Sequence, residues 1–324
     1  MREIPVGPQE AGQRLDGFLK KAFPSAPLSF FYKGLRNRVV TVGKKSAEPD
    51  YRLVEGDVLR CFLPDDAYAK FTARADAYRP AAPGAAEPVV VLFEDAHVLA
   101  LDKPAGVNVH PGDHKSDEVS LIQRAQDYLA GSCDRLGFRP SLAHRLDRDT
   151  SGVVLIGKTP KALAALTEAF RGRDVRKEYL AVCAGALPAM SGQCDKPLLR
   201  VDEAKDEAKV RVDPTGRPSC TPWRVVSASG DGLWSLVACE PKTGFTHQIR
   251  VHLMSLGCPI VGDKSYGDRG ANAKARSLGA VRQLLHARRV TLKHPVTGAP
   301  LCVTSATPAD MRAFLKAAEL PEGR

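Results

Sequence analysis

The sequence has no Cys-x-x-Cys pair; its eight cysteines (Cys61, Cys133, Cys183, Cys194, Cys220, Cys239, Cys258 and Cys302) are scattered singly. That removes the ligand spacing of zinc ribbons and of thiol redox pairs. No apolar run approaches membrane-spanning length. The opening MREIPVGPQEAGQRLD lacks the apolar stretch of a secretory signal. A Walker-type phosphate loop is missing too. His247 and His252 are five apart, a poor spacing for two ligands on one helical face; with His144 and His286 they are expected to be structural hydrogen-bonding groups. These absences point to a cytoplasmic protein with reduced thiols, no membrane partner, and no metal or nucleotide cofactor.

What is present fits a globular protein. A length of 324 residues allows a catalytic domain plus a small accessory domain. Hydrophobic residues at 44% and charged residues at 26% are ordinary for a folded core. Lys and Arg number 47 against 37 Asp and Glu, a net charge of +10 with pI ≈ 9.2. That excess favours a polyanionic partner, most simply a nucleic acid, although a mildly basic protein without one has the same numbers. Nothing in the sequence marks self-association, so a monomer is expected.

Residues 1–64 read as a compact basic module. RLDGFLKKAF carries Leu15, Phe18, Leu19 and Phe23 at helical spacing, with Lys20 and Lys21 opposite. A second helix is expected over Ser29 to Asn37, then short strands in VVTVGKK and VLRCFLP. Lys33, Arg36, Arg38, Lys44 and Lys45 fall in a stretch without an acidic residue, a candidate phosphate-contacting surface. Residues 65–88, rich in Ala, Pro and Asp, read as a linker. From 89 to 324 strands dominate: VVVLFED, VLALDKPAG, SGVVLIGKT, KEYLAVCAG and GLWSLVACEP. Helices are expected in SLIQRAQDYLAG, TPKALAALTEAFRGR and, from Thr246, THQIRVHLMSLG. Strand–strand neighbours without regular βαβ alternation indicate an α+β fold with a mixed, largely antiparallel sheet rather than a Rossmann fold. GDRGANAKARSLGA reads as a mobile basic arm, and the run Arg269–Lys293, with seven basic and no acidic residues, as a phosphate contact.

The chemistry concentrates in SLAHRLDRDTSGVVLIGKT. Here His144, Arg145, Asp147, Arg148 and Asp149 lead through Thr150-Ser151-Gly152 into an apolar strand, so reactive side chains would sit on a loop at a sheet edge. A nearby Arg would keep a carboxylate ionised and nucleophilic. A solvated turn with surface ion pairs has the same composition.

HRLDRDTSG resembles the motif around the catalytic Asp of the RluA-type pseudouridine synthases. LDKPAGVNVHPG, RKEYLAVCAG, TGFTHQIRVHLMSLGCPIVGDKSYG and LLHARRVTLKHP are similar to other motifs of that family, in the family's order. The N-terminal module resembles the S4 RNA-binding domain of its RluC/RluD-like members. The resemblance implies that uridines of large-subunit (23S-type) ribosomal RNA are isomerised to pseudouridine without a cofactor. Asp147 would be nucleophile or base, Arg250 its ionic partner, and Tyr179 the ring against the target uracil. Arg145 would hold the nucleotide out of its stack. The same chemistry on transfer RNA, or a ribosome-assembly role with dispensable catalysis, stays open. The family usually reads TGRTHQIR, whereas Phe245 stands here in place of the Arg, which removes one supporting or RNA-backbone contact.

Overall fold

The computed structural model describes residues 1–8, 10–72, 88–111, 118–130, 138–201 and 209–322. The first unit comprises β1 (Arg2–Pro5), α1 (Leu15–Ala22), α2 (Leu28–Arg36), β2 (Val40–Val42) and β3 (Val58–Cys61), the strands forming an antiparallel sheet in the order β1-β3-β2. The stripe read from the sequence is buried: Leu15, Phe18, Leu19 and Phe23 pack with Phe31, Leu35, Val40 and Leu59. Lys20 and Lys21 face solvent.

Residues 65–72, expected as linker, instead form α3 (Asp65–Thr72). Tyr68 meets Phe23 edge-on at 5.5 Å, and Phe71 packs against Phe30 at 4.7 Å. The two rings are three residues apart, one helical turn, and that apolar edge outweighs the polar composition around it. The first unit therefore extends at least to Thr72, and residues 73–87 of the expected linker lie outside the described residues.

The larger unit follows with β4 (Val90–Glu94), β5 (Val98–Lys103), α4 (Leu121–Tyr128), β6 (Ser141–Leu142), β7 (Ser151–Gly157), α5 (Pro160–Gly172), β8 (Arg176–Ala184), β9 (Ser191–Cys194), β10 (Leu198–Val201), β11 (Lys209–Val212), β12 (Thr221–Ala228), β13 (Trp234–Cys239), α6 (Gln248–Ser255), α7 (Arg269–Ser277), β14 (Leu285–Lys293), β15 (Pro300–Thr304) and α8 (Ala309–Ala317). A ten-stranded sheet runs β4-β5-β7-β14-β8-β13-β12-β9, with β15 on β14 and β6 on β7. Its pairings are antiparallel except β7 with β14. Apart from it, β10 and β11 form a two-stranded ribbon. This is the α+β, mostly antiparallel architecture that the strand-rich pattern implied.

The central strands are apolar throughout because both faces of the sheet are covered. Alternate residues serve different cores: Leu99, Leu101, Val154 and Ile156 pack beneath α4, while Val98, Ala100, Val153 and Leu155 join Leu166 of α5. In β8 and β13, Ala181, Cys183, Val237 and Cys239 meet Ile249 and Leu253 of α6, whereas Leu180, Val182, Leu236 and Ala238 meet Phe314 of α8.

The expected mobile arm is another correction. Residues 269–277 are α7, whose N-cap Asp268 accepts the Ala271 N–H at 2.7 Å and whose Ala275 is fully buried. Its apolar residues are alanines, so the segment is polar on average although polar and apolar side chains still segregate between its faces. Nor is the 269–293 run uniformly free for phosphate: Arg282 is buried against Asp310 at 2.6 Å, and Arg288 lies 3.9 Å from Glu178. Cysteines among the described residues are unpaired, and no helix there is long and apolar enough to cross a membrane.

Gly152 fixes the junction of β7 with β14. Its φ is +115°, and a Cβ there would lie 2.2 Å from the Ala287 carbonyl oxygen. Gly152→Ala is expected to cost about 3 kcal/mol or more, through both strain and overlap, in urea unfolding.

Candidate active site

The loop between β6 and β7 is held by its own backbone. Lys103, fully buried at the end of β5, donates to the carbonyls of Pro104 (2.8 Å), Arg148 (2.7 Å) and Thr150 (2.8 Å). Arg282 donates to the intervening carbonyl of Asp149 at 3.1 Å, and Gln283 to the Thr150 hydroxyl at 2.8 Å. Three consecutive loop carbonyls are thus fixed by two buried cations. Burial pulls the Lys103 amine down to about 7, against the nearby charge of Asp149. Its hydrogens nevertheless match three carbonyl acceptors, which favours the ammonium.

Asp147 projects from this fixed loop, its side chain 28% exposed. Arg250 Nη1 donates to Asp147 Oδ2 at 3.0 Å, joining residues 103 apart in the chain. The same guanidinium grips Asp263, through Nε to Oδ2 at 2.7 Å and Nη2 to Oδ1 at 2.9 Å. Asp263 is fully buried and also accepts the N–H groups of Ser265 and Tyr266 at 2.9 and 3.0 Å. Burial opposes the Arg250 charge, but Asp263 and then Asp147 overcome it and raise its pKa. Burial likewise opposes the Asp263 carboxylate, yet Arg250 and the two backbone donors hold its pKa below the usual range. The Arg250 guanidinium also lies 4.9 Å from the Tyr266 ring centroid. Asp147 Oδ1 has no hydrogen-bond partner among the described residues.

Two clefts meet at Asp147. One, of about 370 Å³, is walled by Leu146, Phe170, Tyr179, Phe245, Ile249 and Leu285. The other, of about 470 Å³, is lined by His110, Arg148, Arg200, Lys264 and other polar residues. Arg145, Asp147, His247 and Arg250 belong to both. Tyr179 comes from β8 beneath the first cleft; burial, then Asp147, push its phenol well above the usual value, so it stays protonated at neutral pH. Arg145 is exposed at the shared rim and forms no ion pair with Asp149 among the described residues.

Other expected residues are dispersed or structural. Lys33, Arg36, Arg38, Lys44 and Lys45 are all exposed on the first unit. Arg38 and Lys44 share a groove with Arg60 and Phe62, which the other three do not line. His144 accepts the Leu155 N–H at 3.1 Å and stacks on Phe170 at 4.3 Å. His252 and His286 are fully buried, bonded to Thr221 and to Ser151. His247 differs: α6 begins at Gln248, not Thr246, and His247 precedes it with Nε2 3.9 Å from Asp147 Oδ2. Sequence reasoning missed Asp263, Lys103 and this placement of His247. Phe245 packs beside Val210, Val251 and Tyr266 and walls the first cleft, so an apolar ring occupies the position where the related motif has a cation. Among the described residues no group of three or more His, Cys, Asp or Glu could hold a metal ion.

Residues 97–255 match the family described as RNA pseudouridylate synthase. The "Ribosomal large subunit pseudouridine synthase C" of Escherichia coli (strain K12) is 38% identical over 298 residues, 91% of this chain and 89% of that one. The protein of the same name from Haemophilus ducreyi is 34% identical over 302 residues, 93% of this chain and 90% of that one. Among solved structures, "Human RNA Pseudouridylate Synthase Domain Containing 4" superposes with a TM-score of 0.59 at 25% identity, covering 72% of this chain and 95% of its own. "Human RNA Pseudouridylate Synthase Domain Containing 1", at 23% identity and TM-score 0.57, covers 70% and 87% and shares the fold.

Two outcomes follow from the buried charges. Asp263→Asn leaves Arg250 without its full counter-charge and is expected to lower unfolding free energy by about 3 kcal/mol in urea titrations. Burial holds His144 at about 3 and His286 at about 4. Below about 6.5 the unfolded chain therefore binds protons that the folded chain refuses, and stability falls with pH by about 1.4 kcal/mol per unit for each histidine. His286→Asn should flatten that slope by one proton between about pH 6.5 and 4.

Proposed function

This chain belongs to the RNA pseudouridylate synthase family, and from that premise we propose that it isomerises uridines of large-subunit ribosomal RNA with Asp147 as the reacting carboxylate. One observation carries the residue assignment: Arg250 occupies Asp147 Oδ2 and leaves Oδ1 open between an apolar cleft and a basic one. A uracil suits the first cleft, and the ribose-phosphate backbone suits the second, with Arg148, Arg200 and Lys264. The relatives named for the large ribosomal subunit, alike over about nine-tenths of both chains, support that substrate.

The reaction breaks the N1–C1′ bond, turns the base within the cleft and joins C5 to C1′; C5 loses a proton and N1 gains one. Oδ1 acts as nucleophile or takes a sugar proton. Tyr179, a protonated phenol, packs against the uracil. To be reached, the base must leave its stack, at a cost of a few kcal/mol, and the Arg145 guanidinium at the shared rim fills the gap or stacks on a neighbouring base. The first unit, residues 1 to at least 72, serves as an S4-like RNA anchor, its Arg38–Lys44 groove with Phe62 offering cations beside an aromatic face. The substrate puts this work in the cytoplasm, with the chain acting as a monomer.

Nucleotide-resolution pseudouridine mapping of total RNA, with and without the gene, tests the assignment. Sites in large-subunit ribosomal RNA should vanish and return with wild type but not with Asp147→Ala. Loss confined to transfer RNA would overturn the substrate, and no lost site would favour an assembly role. Joint replacement of Arg38 and Lys44 by Ala should weaken RNA binding and shallow the log K against log salt slope by roughly 0.7–0.9 for each phosphate contact removed; an unchanged slope would exclude the groove as anchor.

A further inference from the structure

We propose that His247 is a positioning residue for Asp147, locked in one tautomer by Tyr266, and that this pair couples the carboxylate to the β10–β11 ribbon. The proposal rests on Asp147 being the reacting group.

His247 adopts φ 55°, ψ 16°, the left-handed region that non-glycine residues seldom occupy. Such a conformation persists where surrounding contacts fix it. Two contacts hold it: the His247 carbonyl accepts the Val251 N–H at 3.0 Å, and the Tyr266 hydroxyl lies 3.0 Å from Nδ1 with the rings edge-on at 5.5 Å.

Hydrogen-bond accounting then assigns the imidazole proton. The Tyr266 oxygen accepts the Val210 N–H at 2.8 Å. Its own hydrogen has one acceptor among the described residues, His247 Nδ1. Donation there leaves Nδ1 bare and puts the proton on Nε2. Nε2 is 3.9 Å from Asp147 Oδ2, too far for a hydrogen bond but close enough for its N–H dipole to act on the carboxylate. The oxygen already taken by Arg250 thus has a second positive edge beside it, and Tyr266 touches both groups. Oδ2 is held from two directions, and Oδ1 keeps a constant heading.

The chain of contacts does not stop at Tyr266. Val210 lies in β11 opposite Arg200 of β10, and Arg200 lines the basic cleft. The ribbon is separate from the large sheet and reaches this site through an apolar cluster of Leu198, Val210, Val251 and Tyr266. A nucleic-acid backbone drawn to Arg200 presses on β10, the strand paired with β11, whose Val210 N–H holds Tyr266. Seating the RNA and orienting the carboxylate are therefore linked events.

The test uses the full-length protein and an in vitro transcribed large-subunit RNA fragment carrying a mapped site. His247→Asn, with a side chain at ease in the left-handed region, should slow single-turnover conversion by at least about tenfold while RNA Kd stays within about twofold. Tyr266→Phe removes a single oxygen and should slow it in the same direction, the double variant being no slower than His247→Asn alone. Nitrogen-15 NMR of histidine-labelled protein should find the His247 proton on Nε2, and a mixture of tautomers in Tyr266→Phe. Wild-type turnover by His247→Asn, multiplicative effects of the two changes, a loss confined to Kd, or a proton on Nδ1 would each overturn the proposal. Turnover retained by Asp147→Ala would instead remove the underlying assignment, and the NMR result, which needs no RNA, separates the two failures.

Discussion

A guanidinium buried between two carboxylates governs the geometry around Asp147. Arg250 cannot lie in the interior without a full counter-charge, and Asp263 supplies it with two hydrogen bonds while anchoring the turn that presents Tyr266. Only one Arg250 nitrogen is left for Asp147. The structural pair and the proposed reacting group thus have separate claims on one cation, and the fold requires the first whether or not substrate is present. α6 is buried from Gln248 to Leu253 because Ile249 and Leu253 pack on β8 and β13, and Arg250 goes into the interior with them.

The loop bearing Asp147 is ordered by a related device. A loop at a sheet edge ordinarily turns its carbonyls to water, but here Lys103 and Arg282 bind those of residues 148 to 150. Buried cations are costly unless such acceptors are present, so the loop and the cations stabilise one another. Arg282 is in turn balanced by Asp310 at the start of α8. The C-terminal helix consequently has an electrostatic connection to the site.

Much of this was legible in the chain. The apolar strands bounded by turn residues, the helices α1 and α5, and the polar loop entering β7 are visible because period and turn chemistry are local. That Asp147, Tyr179 and Arg250 share one cleft came from the family resemblance; no local pattern links positions so far apart. Asp263 and Lys103 stayed hidden, since in GDKSYG and LDKPAG they read as ordinary turn residues whose burial depends on packing. α7 resembles a loop in sequence because its apolar residues are alanines, which bury well yet leave the segment polar on average. His247 looks like the other histidines in sequence, since its backbone conformation has no signature there. The four-residue strands β9 to β11 were too short to announce themselves.

The inequality of the two Asp147 oxygens has a stereochemical consequence. With Oδ2 pinned and Oδ1 alone free, the carboxylate can address the ribose from one side. On the proposed reading the detached base stays in the apolar cleft, where Tyr179 and Leu285 wall it in. On that reading it must return to the face it left, so the anomeric configuration at C1′ is kept although the atom joined to it has changed.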